Sequence, residues 1–244
     1  MTITGKTDIG RVRRINQDAF LVLEDHGVHL VAVCDGMGGA AAGEVASSKA
    51  IEYLKSVFED NPPTDLALSG LSDWLQSAIE KVNERLYGLA LANEKYTGMG
   101  TTMVAALIHG RKIAMANVGD SRIYLLRDHL QQITTDHSLV QELIDQGRLT
   151  EAEARIHPQR SILTNVLAIQ PHVVIDRFVI DEPIDRLLLA SDGLHGYVDD
   201  ETIETCLRAT SSLDEITQSL IDVANAKGGY DNTTVIVIDF RGNR

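Results

Sequence analysis

Four aspartates stand in settings that suit chemistry with a cation. Asp35 lies in Asp35-Gly36-Met37-Gly38-Gly39, after the apolar run Leu30 to Cys34. Asp120 lies in Val118-Gly119-Asp120-Ser121-Arg122, after Ile113 to Val118. Asp192 lies in Ser191-Asp192-Gly193, after Arg186-Leu187-Leu188-Leu189-Ala190. Asp231 lies in Gly228-Gly229-Tyr230-Asp231-Asn232, just before Thr233 to Ile238. Each acid thus stands at the end of a predicted strand, which fixes its direction, and nearby glycine lets backbone carbonyls approach an ion. The alternative for Asp35-Gly36 is a plain turn, because Asp-Gly followed by Gly-Gly is also a turn sequence. The grouping favours an ion. Carboxylates gathered at strand ends repel one another unless a cation neutralises them. Hard divalent ions such as Mg²⁺ or Mn²⁺ prefer such oxygen ligands. No Cys/His cluster competes for zinc, since Cys34 and Cys206 are single residues without CxxC spacing.

The elements that must position these acids are legible in the apolar periodicity. Strands are predicted at 2–7, 18–24 and 28–35, the last ending on Asp35 before a sharp glycine turn. A helix at 41–59 carries Ala46, Ala50, Tyr53, Leu54, Val57 and Phe58 on one face, and Asn61-Pro62-Pro63 ends it. A second helix spans 66–93, with Leu71, Trp74, Leu75, Ala78, Val82, Leu86 and Leu89 as its stripe and Trp74 read as core packing. Short strands follow at 101–108, 111–118, 122–127 and 130–134, joined by tight turns that indicate antiparallel hairpins. Further strands are expected at 173–180, 186–191 and 233–240, and helices at 199–208 and 212–226. Two groups of helices flanking many antiparallel strands make a layered α+β fold. The stretch 136–168 differs, with helix-compatible pieces at 138–146 and 150–154 broken by Gly147 and Pro158.

Composition sets outer limits. A chain of 244 residues with 44% apolar content can form one large domain or two small ones, with enough apolar residues for a substantial core. A net charge of −13 argues against general nucleic-acid binding and against an anionic membrane surface. No apolar stretch reaches the roughly 18–20 residues of a membrane span. Met1 to Lys6 lack an apolar signal core, so a cytoplasmic location is the expectation. Arg11, Arg13 and Arg14 form a local basic cluster against this acidic background.

The ordered motifs along the chain resemble those of the PP2C-type metal-dependent serine/threonine protein phosphatases in their short bacterial form. They are Gly10-Arg11-Val12-Arg13-Arg14-Ile15-Asn16-Gln17-Asp18, Asp35-Gly36-Met37-Gly38-Gly39, Gly98-Met99-Gly100-Thr101-Thr102 and Gly119-Asp120-Ser121-Arg122. Asp136-His137-Ser138, His157-Pro158-Gln159-Arg160, Ser191-Asp192-Gly193-Leu194 and Asp231-Asn232-Thr233-Thr234 complete the set. The resemblance implies a single domain over 1–244, built as a four-layer α-β-β-α sandwich with a flap at about 136–168. It implies hydrolysis of phosphoserine and phosphothreonine in proteins, by a water activated between two Mn²⁺ or Mg²⁺ ions. It also implies a monomer that reverses a bacterial serine/threonine kinase.

Carried over by motif, Asp35 would bridge both ions, the Gly36 carbonyl would bind one, and Asp192 and Asp231 the other. Asp18 would orient metal-bound water and Arg13 would contact the substrate phosphate, while Arg11 and Arg14 read as solvated. Asp120, with Asp192, would hold a third, weaker ion; the alternative is a turn fixed by its side chain. The chain departs from many relatives at Gln17, where they carry Glu, and at Asn165 and Ala168, where they carry Arg and Gly. Some relatives carry His at Met37 or Ala40, so the group that protonates the leaving alkoxide is open. His137 and His157 are candidates, against a reading of each as a structural hydrogen bond. The alternative function is a catalytically weak signalling or partner-switch module on the same fold. Such proteins usually lose metal aspartates, and here the set is complete.

Overall fold

Leu30-Val31-Ala32-Val33-Cys34 is buried on both faces, and its period of two sorts the side chains into two different cores. Leu30, Ala32 and Cys34 pack with the first two helices, whereas Val31 and Val33 pack between two sheets. The structure, a computed structural model, describes residues 1–243; the side chains of Ala40, where some relatives carry His, and of Ala41 and Asn243 lie outside what it describes.

The strands are β1 (Thr2–Asp8), β2 (Asp18–Asp25), β3 (Val28–Met37), β4 (Gly100–Thr101), β5 (Met103–His109), β6 (Lys112–Val118), β7 (Arg122–Leu126), β8 (Leu130–Gln132), β9 (Asp176–Ile180), β10 (Arg186–Ala190) and β11 (Thr233–Asp239). The helices are α1 (Gly39–Asp60), α2 (Leu68–Ala92), α3 (Leu139–Asp145), α4 (Glu151–Arg155), α5 (Asp192–His195), α6 (Asp200–Arg208) and α7 (Leu213–Ala226). One sheet runs β1-β11-β10-β7-β8 and the other β2-β3-β5-β6-β9, with β4 added to β3. All of these pairings are antiparallel. Val31, Val104, Ile113, Leu187, Leu189, Ile236 and Ile238 fill the space between the sheets. Helices α1 and α2 cover one outer face, with Leu54, Phe58, Leu71 and Ile79 buried. Helices α5, α6 and α7 cover the other, with Leu194, Ile203, Leu207 and Leu220 buried. This is the expected α+β architecture of two antiparallel sheets flanked by helices. Trp74 packs against the first core, its ring edge-on to Phe58 and its indole N–H donating to the Asn61 carbonyl. Each fully buried aliphatic side chain contributes about 1.5–3 kcal/mol, and this supports the charged cluster at one end of the sheets. Among the described residues, no helix is long and apolar enough to cross a membrane.

Two details differ from the sequence expectation. β3 does not end at Asp35: Gly36 and Met37 continue it, paired with Thr101 and Gly100 of β4. The reason is a partner beyond the range of apolar periodicity, since Thr101 and Thr102 bond the Asp35 backbone on both sides. The turn comes later, at Gly38 (φ 117°) and Gly39 (φ 73°). Second, Asp192 opens α5, a helix of four residues that is too short to leave a periodic signal.

Candidate metal centre

Register brings the first two acids together. Asp18 and Asp35 are direct cross-strand partners on β2 and β3. Asp35 is fixed through its backbone: its N–H donates to Thr102 Oγ1 at 2.9 Å, and its carbonyl accepts from Thr101 Oγ1 at 2.8 Å. Gly36 follows with its N–H on the Gln17 carbonyl at 3.0 Å. A Cβ on Gly36 would run into the Gly43 backbone, so α1 lies directly on this peptide. Gly43 escaped the sequence reading; a glycine within a helix, against propensity, was the available signal.

Asp18 is only 8% exposed. Its Oδ2 accepts from Ser191 Oγ at 2.7 Å, and Ser191 Oγ in turn accepts the Thr234 N–H at 2.9 Å. Its Oδ1 is buried with no partner, and so is Oδ1 of Asp192. Ser191 is thus the link between the two sheets at the site. Gly193 beside Asp192 is obligatory, because a Cβ there would overlap the Asn232 carbonyl.

Asp231 pairs with Arg13, with Nη2 to Oδ2 at 2.7 Å, and its Oδ1 accepts the Asn232 N–H at 2.9 Å. The loop carrying Arg13 is sewn down by Asn232. Asn232 Oδ1 accepts the Gln17 N–H at 2.8 Å, and Nδ2 donates to the carbonyls of Ile9 at 2.9 Å and Ile15 at 3.1 Å. Gly229 adds a carbonyl that accepts from Arg11 and Val12 N–H. Gln17, the residue in place of a glutamate, turns its amide to the Gly39 carbonyl at 3.1 Å.

The carboxylates feel one another strongly. Burial pushes the Asp18 carboxyl up to about 7, against hydrogen bonds from Ser191 and Thr234, and the charges of Asp192 and Asp231 add to the rise. Burial raises Asp35 well above the carboxylate range, helped by Asp18, Asp192, Asp120 and Asp231. Asp192 rises to about 6 through burial and Asp231, opposed by a hydrogen bond with Asp35 and by Arg13. Asp120 is raised by burial, then by Asp192 and Asp136, with Arg122 opposing. The sequence-predicted acids are therefore one electrostatic cluster. Among the described residues, no group of three or more His, Cys, Asp or Glu stands ready, as the side chains lie, to hold a metal ion. Mg²⁺ keeps several of its own waters and takes only one or two carboxylates, so it does not require a cage built by the protein alone. The residues fit a divalent cation on two counts: buried carboxylate oxygens without partners, and mutual repulsion that a cation would relieve.

The histidines fall outside this cluster. His137 engages both ring nitrogens, Nδ1 with Gly119 and Asn165 and Nε2 with Asp176. His157 Nδ1 accepts the Gln159 N–H. His195 was not foreseen: it closes α5 with Nε2 buried and unpartnered, and burial, then the Arg122 charge, keep the ring neutral. Met37 is exposed at the rim.

Comparison with known proteins follows the same lines. Residues 10–229 match the family described as Protein phosphatase 2C. The serine/threonine phosphatase stp of Listeria monocytogenes is 39% identical over 237 residues, covering 96% of this chain and 94% of the relative. A protein described as a putative protein phosphatase 2C-type from Streptococcus pyogenes is 40% identical over 246 residues, covering 98% and 97%. The crystal structure of the serine/threonine phosphatase Stp1 from Staphylococcus aureus superposes with a TM-score of 0.93 at 38% identity, over 98% of this chain and 94% of that one. With the motif order, the paired sheets and the acidic cluster all in agreement, the chain belongs to the Protein phosphatase 2C family.

Proposed function

We propose that this protein hydrolyses phosphoserine and phosphothreonine in protein substrates, with two Mn²⁺ or Mg²⁺ ions as cofactors and a third held more weakly. The observation that carries the reading is the cluster of Asp18, Asp35, Asp120 and Asp192, with two buried carboxylate oxygens left unpartnered. The activity of the similar proteins, named as serine/threonine phosphatases, supports it.

When bound, the ions supply the charge that offsets the phosphoryl oxygens and lowers the pKa of water for in-line attack at phosphorus. Asp35, Asp192, Asp231 and the Gly36 carbonyl would hold them, and Asp120 with Asp192 would hold the third. Asp18, fixed by Ser191, orients water at the edge of the centre. Arg13 presents its guanidinium to the phosphate; Asp231 orients it beforehand, so little freedom is lost on binding. The segment 136–168 serves as a flap beside the site. The substrates are proteins phosphorylated by a serine/threonine kinase.

The test is phosphate release from phosphoserine and phosphothreonine peptides by the purified protein with and without Mn²⁺. Stimulated release is expected, and Asp35→Ala or Asp192→Ala should abolish it with the fold retained by circular dichroism. Metal-independent release, or full activity in either variant, would refute the reading.

A further inference from the structure

The imidazole of His137 joins three separated parts of the chain. Its Nδ1 lies 3.1 Å from the Gly119 N–H and 2.8 Å from Asn165 Nδ2. Its Nε2 lies 3.1 Å from Asp176 Oδ2 on β9. Its backbone repeats the links: His137 N–H donates to the Gly119 carbonyl at 2.9 Å, and its carbonyl accepts the Thr164 N–H at 2.9 Å. Asn117 Nδ2 also reaches the Gly119 carbonyl, at 3.3 Å.

The hydrogen bonds fix the state of the ring. Gly119 N–H can only donate. Asn165 is oriented independently, because its amide brackets the Val174 backbone: Oδ1 accepts the Val174 N–H at 3.2 Å and Nδ2 donates to the Val174 carbonyl at 2.8 Å. Two donors therefore face Nδ1, which must be the bare acceptor of a neutral ring, with the proton on Nε2 facing Asp176. Gly119 adopts φ 107° with Thr102 packed where a Cβ would stand, so the turn that delivers Asp120 is seated against Thr102 on one side and bonded to His137 on another. Ser138 and Leu163 bridge just beyond, closing the root of the 136–168 segment.

We infer that His137 is a positioning residue, a neutral clasp that locks the Asp120 turn and both ends of the 136–168 segment into one unit, with Asn165 setting its tautomer. The inference rests on the reading of Asp120 as a ligand. Loss of the clasp would loosen the Asp120 carboxylate, leaving Asp35, Asp192 and Asp231 in place.

Three arms test it. Imidazole ¹⁵N NMR of the metal-free protein should show His137 with a bare Nδ1 and a protonated Nε2; the opposite tautomer or a cationic ring at pH 7.5 would overturn the clasp. His137→Ala should raise the Mn²⁺ concentration for half-maximal phosphopeptide hydrolysis about tenfold, the lower end of the cost of losing an outer-shell partner, with kcat recovered at saturating Mn²⁺. Asn165→Asp, which sets an acceptor against Nδ1, should do the same, while His137→Asn, which keeps an acceptor near the Gly119 N–H, should restore most of the affinity. In an Asp120→Asn background His137→Ala should add no further shift, as expected of residues acting through one another. An unchanged Mn²⁺ dependence in His137→Ala and Asn165→Asp, or full additivity with Asp120→Asn, would sink the proposal. If the wild-type protein hydrolyses no phosphopeptide at any Mn²⁺ concentration, the functional reading fails, and the NMR arm still decides the clasp.

Discussion

Asp18 and Asp35 face each other directly across the β2–β3 ladder, two carboxylates in register where like charges are ordinarily destabilising. Ser191 holds one of them with its hydroxyl, from the opposite sheet. The arrangement costs stability in the metal-free protein and makes that stability depend on pH.

The direction follows from the raised carboxyls. Asp18 at about 7 and Asp192 at about 6 keep their protons longer in the folded state than in the unfolded chain. Their contribution is full below the ordinary carboxylate range and is lost as pH rises through about 6 to 7. The melting temperature of the protein in EDTA should therefore fall between pH 5 and pH 8, by about 2–4 °C for each kcal/mol lost in a chain of this size. Excess Mn²⁺ should restore it at pH 8, because cations bind the deprotonated cluster. Calorimetry at both pH values checks this, and a flat or rising profile in EDTA would contradict it.

Asn232→Ala should weaken substrate binding more than chemistry. The change removes the acceptor for Gln17 N–H and the donors to the Ile9 and Ile15 carbonyls, the contacts that hold the loop bearing Arg13. Each lost bond of this type costs about 0.5–1.5 kcal/mol. We expect KM for a phosphopeptide to rise about tenfold or more, with a smaller effect on kcat. Steady-state kinetics at saturating Mn²⁺ measures both.

Gly193→Ala should damage the site more than its size suggests. The new methyl would overlap the Asn232 carbonyl and crowd Thr233 Oγ1, at 2.8 Å. Either α5 shifts and carries Asp192 with it, or the Asn232 loop gives way. Overpacking of this kind costs about 1–3 kcal/mol. Calorimetric titration with Mn²⁺ should show weakened binding, along with a lowered melting temperature.

Arg186→Ala provides a contrast. Arg186 is fully buried, bonds Asp239 at 2.9 Å and reaches the carbonyls of Leu207 and Ala209 at the end of α6. Breaking such a buried pair costs about 3–5 kcal/mol, moderated here because Asp239 keeps Arg241. Stability should drop sharply, with kcat/KM of the folded fraction unchanged. Urea denaturation followed by an activity assay separates the two effects.

Much of this protein is written locally. The unbroken apolar run Leu30 to Cys34 marks β3 as buried on both faces, and Asp35, Asp192 and Asp231 are flagged by the strands and glycines beside them. Signals of that kind lie within a few residues, where periodicity and turn chemistry operate. The extension of β3 through Met37, the Ser191–Asp18 bond, the seam made by Asn232 and the ring state of His137 are not local. Asp18 and Ser191 are 173 positions apart, and Gln17 and Asn232 are 215 apart. A side chain's partner at that range depends on how the two sheets stack, which no spacing encodes. The sequence by itself determined which residues carry charge and which strands deliver them. Only the tertiary structure decided which charges meet, because burial and repulsion arise when the sheets close on one another.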